Sequence, residues 1–246
     1  MITFVSCGAI KKTPTISFSI PFGCSDSIPI LGESLGEVTF QTNQTWIIGN
    51  QKWSDAVMAT ACQKESFNGG NWRPTPMIFN TDCRSNEGYG DLFSWCAVAR
   101  FQNELCPPPW RVPTSEDFRD LDIALGGNGR SRGWEWSTLS WLESEQTFQS
   151  EEMLDSLRRT KWKEEVENET RFIKENYLGR WGGVLGGDCN SWGRLFGQGS
   201  IGRYWSSTEA GTNARNLEFN ISFGLTVPQG GVYKFDGAML RCVRDN

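Results

Sequence analysis

The sequence predicts an α+β domain, and three stretches carry that prediction. Thr114 sits where a helix N-cap belongs, with Asp117 three residues on as its reciprocal capping-box partner. Phe118, Leu121 and Leu125 then recur at spacings of three and four before Gly126-Gly127 closes the helix. Upstream, Trp95, Val98, Phe101 and Leu105 repeat at helical spacing until Pro107-Pro108-Pro109, which cannot continue a helix. Near the C-terminus, Leu217, Phe219, Ile221 and Phe223 alternate with Asn216, Glu218, Asn220 and Ser222. That is the period of a half-buried strand with one polar face. The 246 residues allow one large domain or two small ones and are ample for a core.

Taken in order, residues 1–36 read as a tether. Phe4-Val5-Ser6-Cys7 looks like the tail of a bacterial lipoprotein signal, in which Cys7 carries the lipid. The six residues before Cys7 are too few for a basic and an apolar region, so either a start further upstream or a chance likeness accounts for it. Lys11-Lys12 and the Ser, Thr and Pro of 13–27 suit a linker, and 16–20 suits a short strand. No segment is long and apolar enough for a transmembrane helix. Val38, Phe40, Trp46, Ile47 and Ile48 are strand-like, so the domain proper is expected over 37–246.

Residues 63–90, rich in Gly, Asn and Pro, read as loop. Asp82 and the nearby Asp91 lack a calcium-loop pattern, so no motif supports calcium and no cofactor is expected. An insertion at about 130–180 has its own composition. Residues 143–178 are dense in Glu, Lys and Arg, with Lys161 and Glu165 four apart. Trp162, Val166, Ile173 and Tyr177 mark one helical face, and Gly179 is the expected C-cap. A solvated helix packed across the domain is expected, with a partner-binding helix as the alternative. Residues 179–200 read as a Gly and Trp-rich loop without a phosphate or dinucleotide fingerprint. Gln229-Gly230-Gly231 reads as a turn and 238–243 as the closing strand.

Composition excludes several functions. A net charge of −5 and a pI near 5.0 argue against nucleic acid as a partner, since phosphate binding needs a concentrated basic surface. There is no histidine, which removes His-based triads, His metal sites and His acid–base catalysis together. Twelve tryptophans exceed what a plain core needs. They fill an irregular, loop-rich core or form a carbohydrate-stacking platform, and the core is the expected use. Eight cysteines without a CxxC fit an oxidising compartment better than a structural zinc site.

Read together, GYGDLFSWCAVA (88–99), IIGNQKWSDAV (47–57), WRVPTSEDF (110–118), RYWSSTEAG (203–211) and LRCVRD (240–245) form an ordered series. The series resembles the Fibrobacter succinogenes major paralogous domain, a family of secreted and surface proteins. The resemblance implies a C-type lectin-like fold: small twisted antiparallel sheets, two main helices and long loops, here with a charged helical insertion. It implies a Cys106–Cys242 disulfide, and more weakly Cys83–Cys96, leaving Cys62 and Cys189 as possible partners. Carried over by position, Glu209, Asn213, Arg215, Glu218 and Asn220 are the candidate ligand contacts, with an ordinary strand face as the plainer alternative. The implied function is a non-catalytic cell-surface or secreted binding module, adhesin-like or pilus-associated. Its partner would be an extracellular protein or glycan, with membrane contact only through a lipid anchor, as in an outer-membrane lipoprotein. The EPN and WND signatures of calcium-dependent lectins are absent. Two alternatives are a retroelement-diversified, hypervariable receptor-binding protein and a formylglycine-generating type of enzyme. The latter group has a related RLPTEAEWE stretch but needs a close C-terminal cysteine pair, and here Cys242 stands alone.

Overall fold

The computed structural model describes residues 37–39, 46–56, 58–60, 92–133, 151–190 and 194–245. Among these, β1 (Glu37–Thr39) pairs antiparallel with β4 (Met58–Thr60). Between them, β2 (Trp46–Ile48) and β3 (Gln51–Ala56) form a hairpin that turns at Gly49, where φ is 60°. The tether, Cys7, Asp82, Asp91 and the expected 63–90 loop lie outside the described residues. The short β5 (Phe93–Ser94) leads into α1 (Trp95–Arg100), whose Ala97 N–H donates to Ser94 Oγ at 3.2 Å.

The single helix expected from Trp95 to Leu105 is two helices. Phe101 leaves helical geometry (φ −109°, ψ 24°), and α2 (Gln102–Leu105) restarts after it. The break keeps both Phe101 and Leu105 buried, and α2 ends at Cys106, before the proline run. In α3 (Ser115–Leu125) the expected capping box is present in both directions, and Gly126 closes the helix at φ 102°. That left-handed conformation costs glycine little and any L side chain more.

The charged insertion forms α4 (Glu151–Phe172), which continues as a π-helix over Ile173–Arg180. Gly179 therefore lies inside the helix rather than capping it. The helix ends at Trp181, whose N–H reaches Asn176 O at 2.9 Å. The wider turn suits packing: Ile173, Tyr177 and Trp181 all enter the core, with Tyr177 stacked 4.9 Å from Phe219 and Trp181 edge-on to Trp53 at 5.4 Å. Trp162, expected on the same face, is 40% exposed.

The C-terminal half supplies the main sheet, in the order β6-β11-β10-β9. It comprises β6 (Arg132–Gly133), β9 (Ile201–Ala210), β10 (Asn213–Asn220) and β11 (Leu225–Tyr233), all antiparallel. A second sheet, β5-β12-β7-β8, uses β7 (Asp188–Cys189), β8 (Leu195–Phe196) and β12 (Gly237–Ala238). The expected 179–200 loop thus contains a short ladder. Finally β13 (Arg241–Asp245) pairs with β3, giving β13-β3-β2. The expected closing strand is two pieces in different sheets, joined by the buried Met239 and Leu240.

Two further expectations change. Gln229-Gly230-Gly231 is extended within β11, where Gly230 and Gly231 pair with Asn216 and Arg215 of β10; an added Cβ at Gly230 would sit 3.0 Å from Asn216 Oδ1. The β10–β11 turn falls instead at 221–224, leaving Phe223 exposed. The polar face expected for β10 is also covered, with Asn216 and Asn220 buried.

Two core clusters result. One gathers Trp95, Phe101, Leu105, Trp110 and Trp205 around the Cys106–Cys242 disulfide, with 5.6 Å between Cα atoms. The other joins Trp53, Phe118, Leu121, Tyr177, Trp181 and Phe219. Among the described residues, Trp53, Trp95, Trp110, Trp181 and Trp205 are core material. Cys96 and Cys189 are also disulfide-bonded, while the expected Cys83 and Cys62 lie outside the described residues.

Candidate functional site

Asp117 fastens three separated stretches of chain. Its carboxylate accepts from the Arg111 guanidinium at 2.5 and 3.0 Å, from the Thr114 N–H at 2.6 Å and from the Thr114 hydroxyl at 2.8 Å. The Gln51 amide of β3 donates to it as well. Arg111 exchanges both backbone hydrogen bonds with Val243 of β13 at 2.9 Å. Burial alone would raise the Asp117 carboxyl, but the Arg111 and Thr114 hydrogen bonds outweigh it and hold it below the usual carboxylate range.

The start of α3 also enters an irregularity in β9, where the β9–β10 register shifts between Ala214 and Asn216. There the Ser207 N–H donates to Pro113 O at 2.7 Å and the Ser115 N–H to Thr208 Oγ1 at 3.0 Å. The WRVPT and YWSST stretches therefore meet in space. Their polar groups position α3 over the sheet.

A second carboxylate fastens the insertion. Asp122, fully buried, accepts from Arg132 at 2.6 and 2.8 Å, from the Tyr177 hydroxyl at 2.7 Å and from the Gly129 N–H at 2.8 Å. Arg132 also pairs with Glu169 at 3.2 Å and lies 4.7 Å over the Phe172 ring. Burial would lower Arg132, yet Asp122 and Glu169 raise it overall, while burial and Asp122 push Tyr177 well above the usual phenol range.

The five candidate contacts fall into three groups. Asn213 and Arg215 share one face of β10, opposite Tyr233 and Gly231 of β11. On that same face Leu217 and Phe219 pack with Phe118 and Leu121 of α3. The first turn of α3 sits over Gln229, whose amide donates to Glu116 Oε1 at 2.9 Å and Ser115 O at 3.3 Å. Beyond it the strands run on as an uncovered ledge: Arg215 is exposed and Tyr233 is 55% exposed. Glu209 is on the opposite face, where it pairs with Lys234, whose ammonium lies 4.7 Å over Trp95. Further along β10, Glu218 pairs with Arg203 at 2.7 Å. Asn220 Oδ1 accepts the Ser222 and Phe223 N–H groups at 2.9 and 3.3 Å, holding the turn. Asn213 and Glu218 are five residues apart, about 17 Å along an extended strand. The five residues therefore do not line one small site.

Sequence reasoning did not find Tyr233 and Phe235, whose rings stack at 5.1 Å with 6° between planes. Their signal was the Tyr-Lys-Phe alternation, hidden because the preceding glycines read as a turn. Among the described residues no group of three or more His, Cys, Asp or Glu is placed to hold a metal ion. No helix among them is long and apolar enough to cross a membrane. The model of the Fibrobacter succinogenes major domain family matches residues 42–244. No curated protein and no solved structure matches the chain.

Proposed function

The chain belongs to the Fibrobacter succinogenes major domain family, and from that premise we propose that it is a non-catalytic binding module on a C-type lectin-like scaffold, secreted or displayed at the cell surface. The observation that carries the reading is the uncovered ledge of β10 and β11. It presents Asn213, Arg215 and Tyr233 where β10 is paired with β11 on one side and β9 on the other, in a domain braced by the Cys106–Cys242 disulfide. A ledge held this rigidly loses little entropy when a ligand docks. Glu209, on the other face and paired with Lys234, is not part of the ledge.

A formylglycine-generating activity is the weaker reading, since it needs a reactive cysteine pair and Cys242 is joined to Cys106. A hypervariable receptor binder would use the same ledge, and clonal variation confined to 205–240 would distinguish it. The test is binding of the full chain to an array of glycans and extracellular proteins, with and without chelator. The expected result is a chelator-insensitive ligand whose binding falls at least tenfold on Asn213→Ala or Tyr233→Ser. A ligand indifferent to both substitutions would move the site elsewhere on the molecule.

A further inference from the structure

The register of the β13-β3-β2 sheet places two unlike rows of side chains on its two faces. Ile47 lies directly across from Lys52, and Lys52 directly across from Arg244, so these three share one face. One residue further along, Ile48, Gln51 and Asp245 are paired in the same way and share the opposite face.

The first row is a knob. Ile47 is 59% exposed. Like charges directly across a ladder repel and cost the sheet stability. Neither Lys52 nor Arg244 has a carboxylate partner among the described residues, and the Arg244 guanidinium is held over the Trp110 ring at 4.9 Å. An isoleucine beside two cations without counter-charges fits an apolar surface rimmed by carboxylates.

The second row lines a hole on the far side of the same hairpin. Ile48, Ala124 and the half-exposed Ile123 give a cavity of about 650 Å³ between the hairpin and α3 its apolar floor. The exposed Asp120 and Asp245 stand at its rim. Asp120 meets Arg119 at 3.2 Å and Asp245 meets Arg111 at 3.5 Å, in exposed pairs of the kind that hold weakly. Each carboxylate therefore keeps acceptor sites for a second cation.

From these two surfaces we infer that the chain associates head to tail with further copies of itself. The Ile47, Lys52 and Arg244 row of one copy enters the cavity of the next, between Ile123, Asp120 and Asp245. Polarity, sign and number of charges all agree across the contact. The cavity is within the range of about 300–1,000 Å³ that takes a small ligand, which leaves room for the Ile47 side chain and the Lys52 stem. Ile47 and Ile48 point to opposite faces of one strand. A twofold dimer would have to turn both faces of the hairpin to its partner at once. The contact is therefore heterologous, with a knob left free at one end and a cavity at the other, and successive copies form a row. A three-residue knob is small beside the roughly 20–30 residues a side of a stable interface, so association is weak and rises with concentration. Neither surface uses a residue of the ledge, so this association stands apart from ligand binding.

The test is sedimentation of the full chain over a concentration series. The expected mean mass climbs past the dimer without a plateau. It falls when salt is raised from about 0.15 to 1 M, which shortens the screening length from about 8 to 3 Å. Ile47→Asp removes the knob, and Asp120→Asn with Asp245→Asn removes the charges of the cavity. Each should weaken association at least tenfold. Mixed one to one, the two variants should form a dimer and nothing longer, because each keeps one intact surface. All three side chains are exposed, and an unchanged melting temperature confirms that each variant folds. If Ile47→Asp melts lower, Lys52→Gln with Arg244→Gln tests the same surface. Association that stops at a symmetric dimer, that ignores the variants, or that the mixture does not restore overturns the inference. So does a monomer at every concentration up to about 1 mM.

Discussion

At the scale of single residues, Asp117 does the most with the least. Its carboxylate closes the capping box and receives Arg111 and Gln51, so one side chain holds α3 against β3 and β13. Asp117→Asn should destabilise the fold by about 1.5–3 kcal/mol, the range for hydrogen bonds to a charged group. The pH dependence follows from its depressed folded pKa. The stabilisation is complete above the unfolded value of about 3.9 and is lost as pH falls through the lower folded value. Denaturant titrations between pH 5 and 2 should show this acid component in the native protein and its loss in Asp117→Asn. Trp110, buried beneath the Arg244 guanidinium at 4.9 Å, is the second test. Trp110→Ala should cost about 3–5 kcal/mol, as truncation of a core aromatic does, and a change below about 0.5 kcal/mol would deny it a core role.

Among the elements, the π-helical end of the insertion is the most consequential. Arg132 links α3, β6 and α4 by bridging Asp122 and Glu169. Arg132→Met should cost about 3–5 kcal/mol, because Asp122 is left charged in a dry environment. Hydrogen exchange should show the loss first in 173–180, and uniform loosening of the whole chain would contradict that localisation. The buried tyrosines predict the alkaline limit. Burial pushes Tyr204 up to about 12 against the opposing charge of Arg241, and its hydroxyl is held by Val184. A folded pKa above the unfolded value of about 10 means that stability is retained below pH 10 and declines as pH rises toward 12. Tyr204→Phe should flatten that decline in a pH series of melting temperatures.

For the whole molecule, the Cys106–Cys242 disulfide closes 136 residues of sequence and ties α2 to β13. Cys106→Ser with Cys242→Ser should lower stability by about 2–5 kcal/mol, a loss that reductant reproduces in the native protein. Anchoring belongs at this scale too. If Cys7 carries a lipid, Cys7→Ala should release the protein from the membrane fraction, and unchanged partitioning would refute lipidation.

What the sequence by itself determined is what short-range physics controls. The capping box at Thr114 and Asp117, the Gly126 stop and the proline stop after Leu105 each depend on neighbours within a turn, so they could be read directly. The ordered motifs also identified the family, and with it the Cys106–Cys242 pairing. Only the tertiary structure decided the rest. The π-helix follows from the need to seat Tyr177 and Trp181 against Phe219 and Trp53. The glycines at 230 and 231 became strand because their backbone pairs with Asn216 and Arg215 of β10. Alternation alone could not tell which face of β10 is covered, nor that Glu209 and Glu218 are engaged by Lys234 and Arg203 while Arg215 is left open. Strand register and the end of α3 make those assignments, and both depend on contacts between residues far apart in the chain.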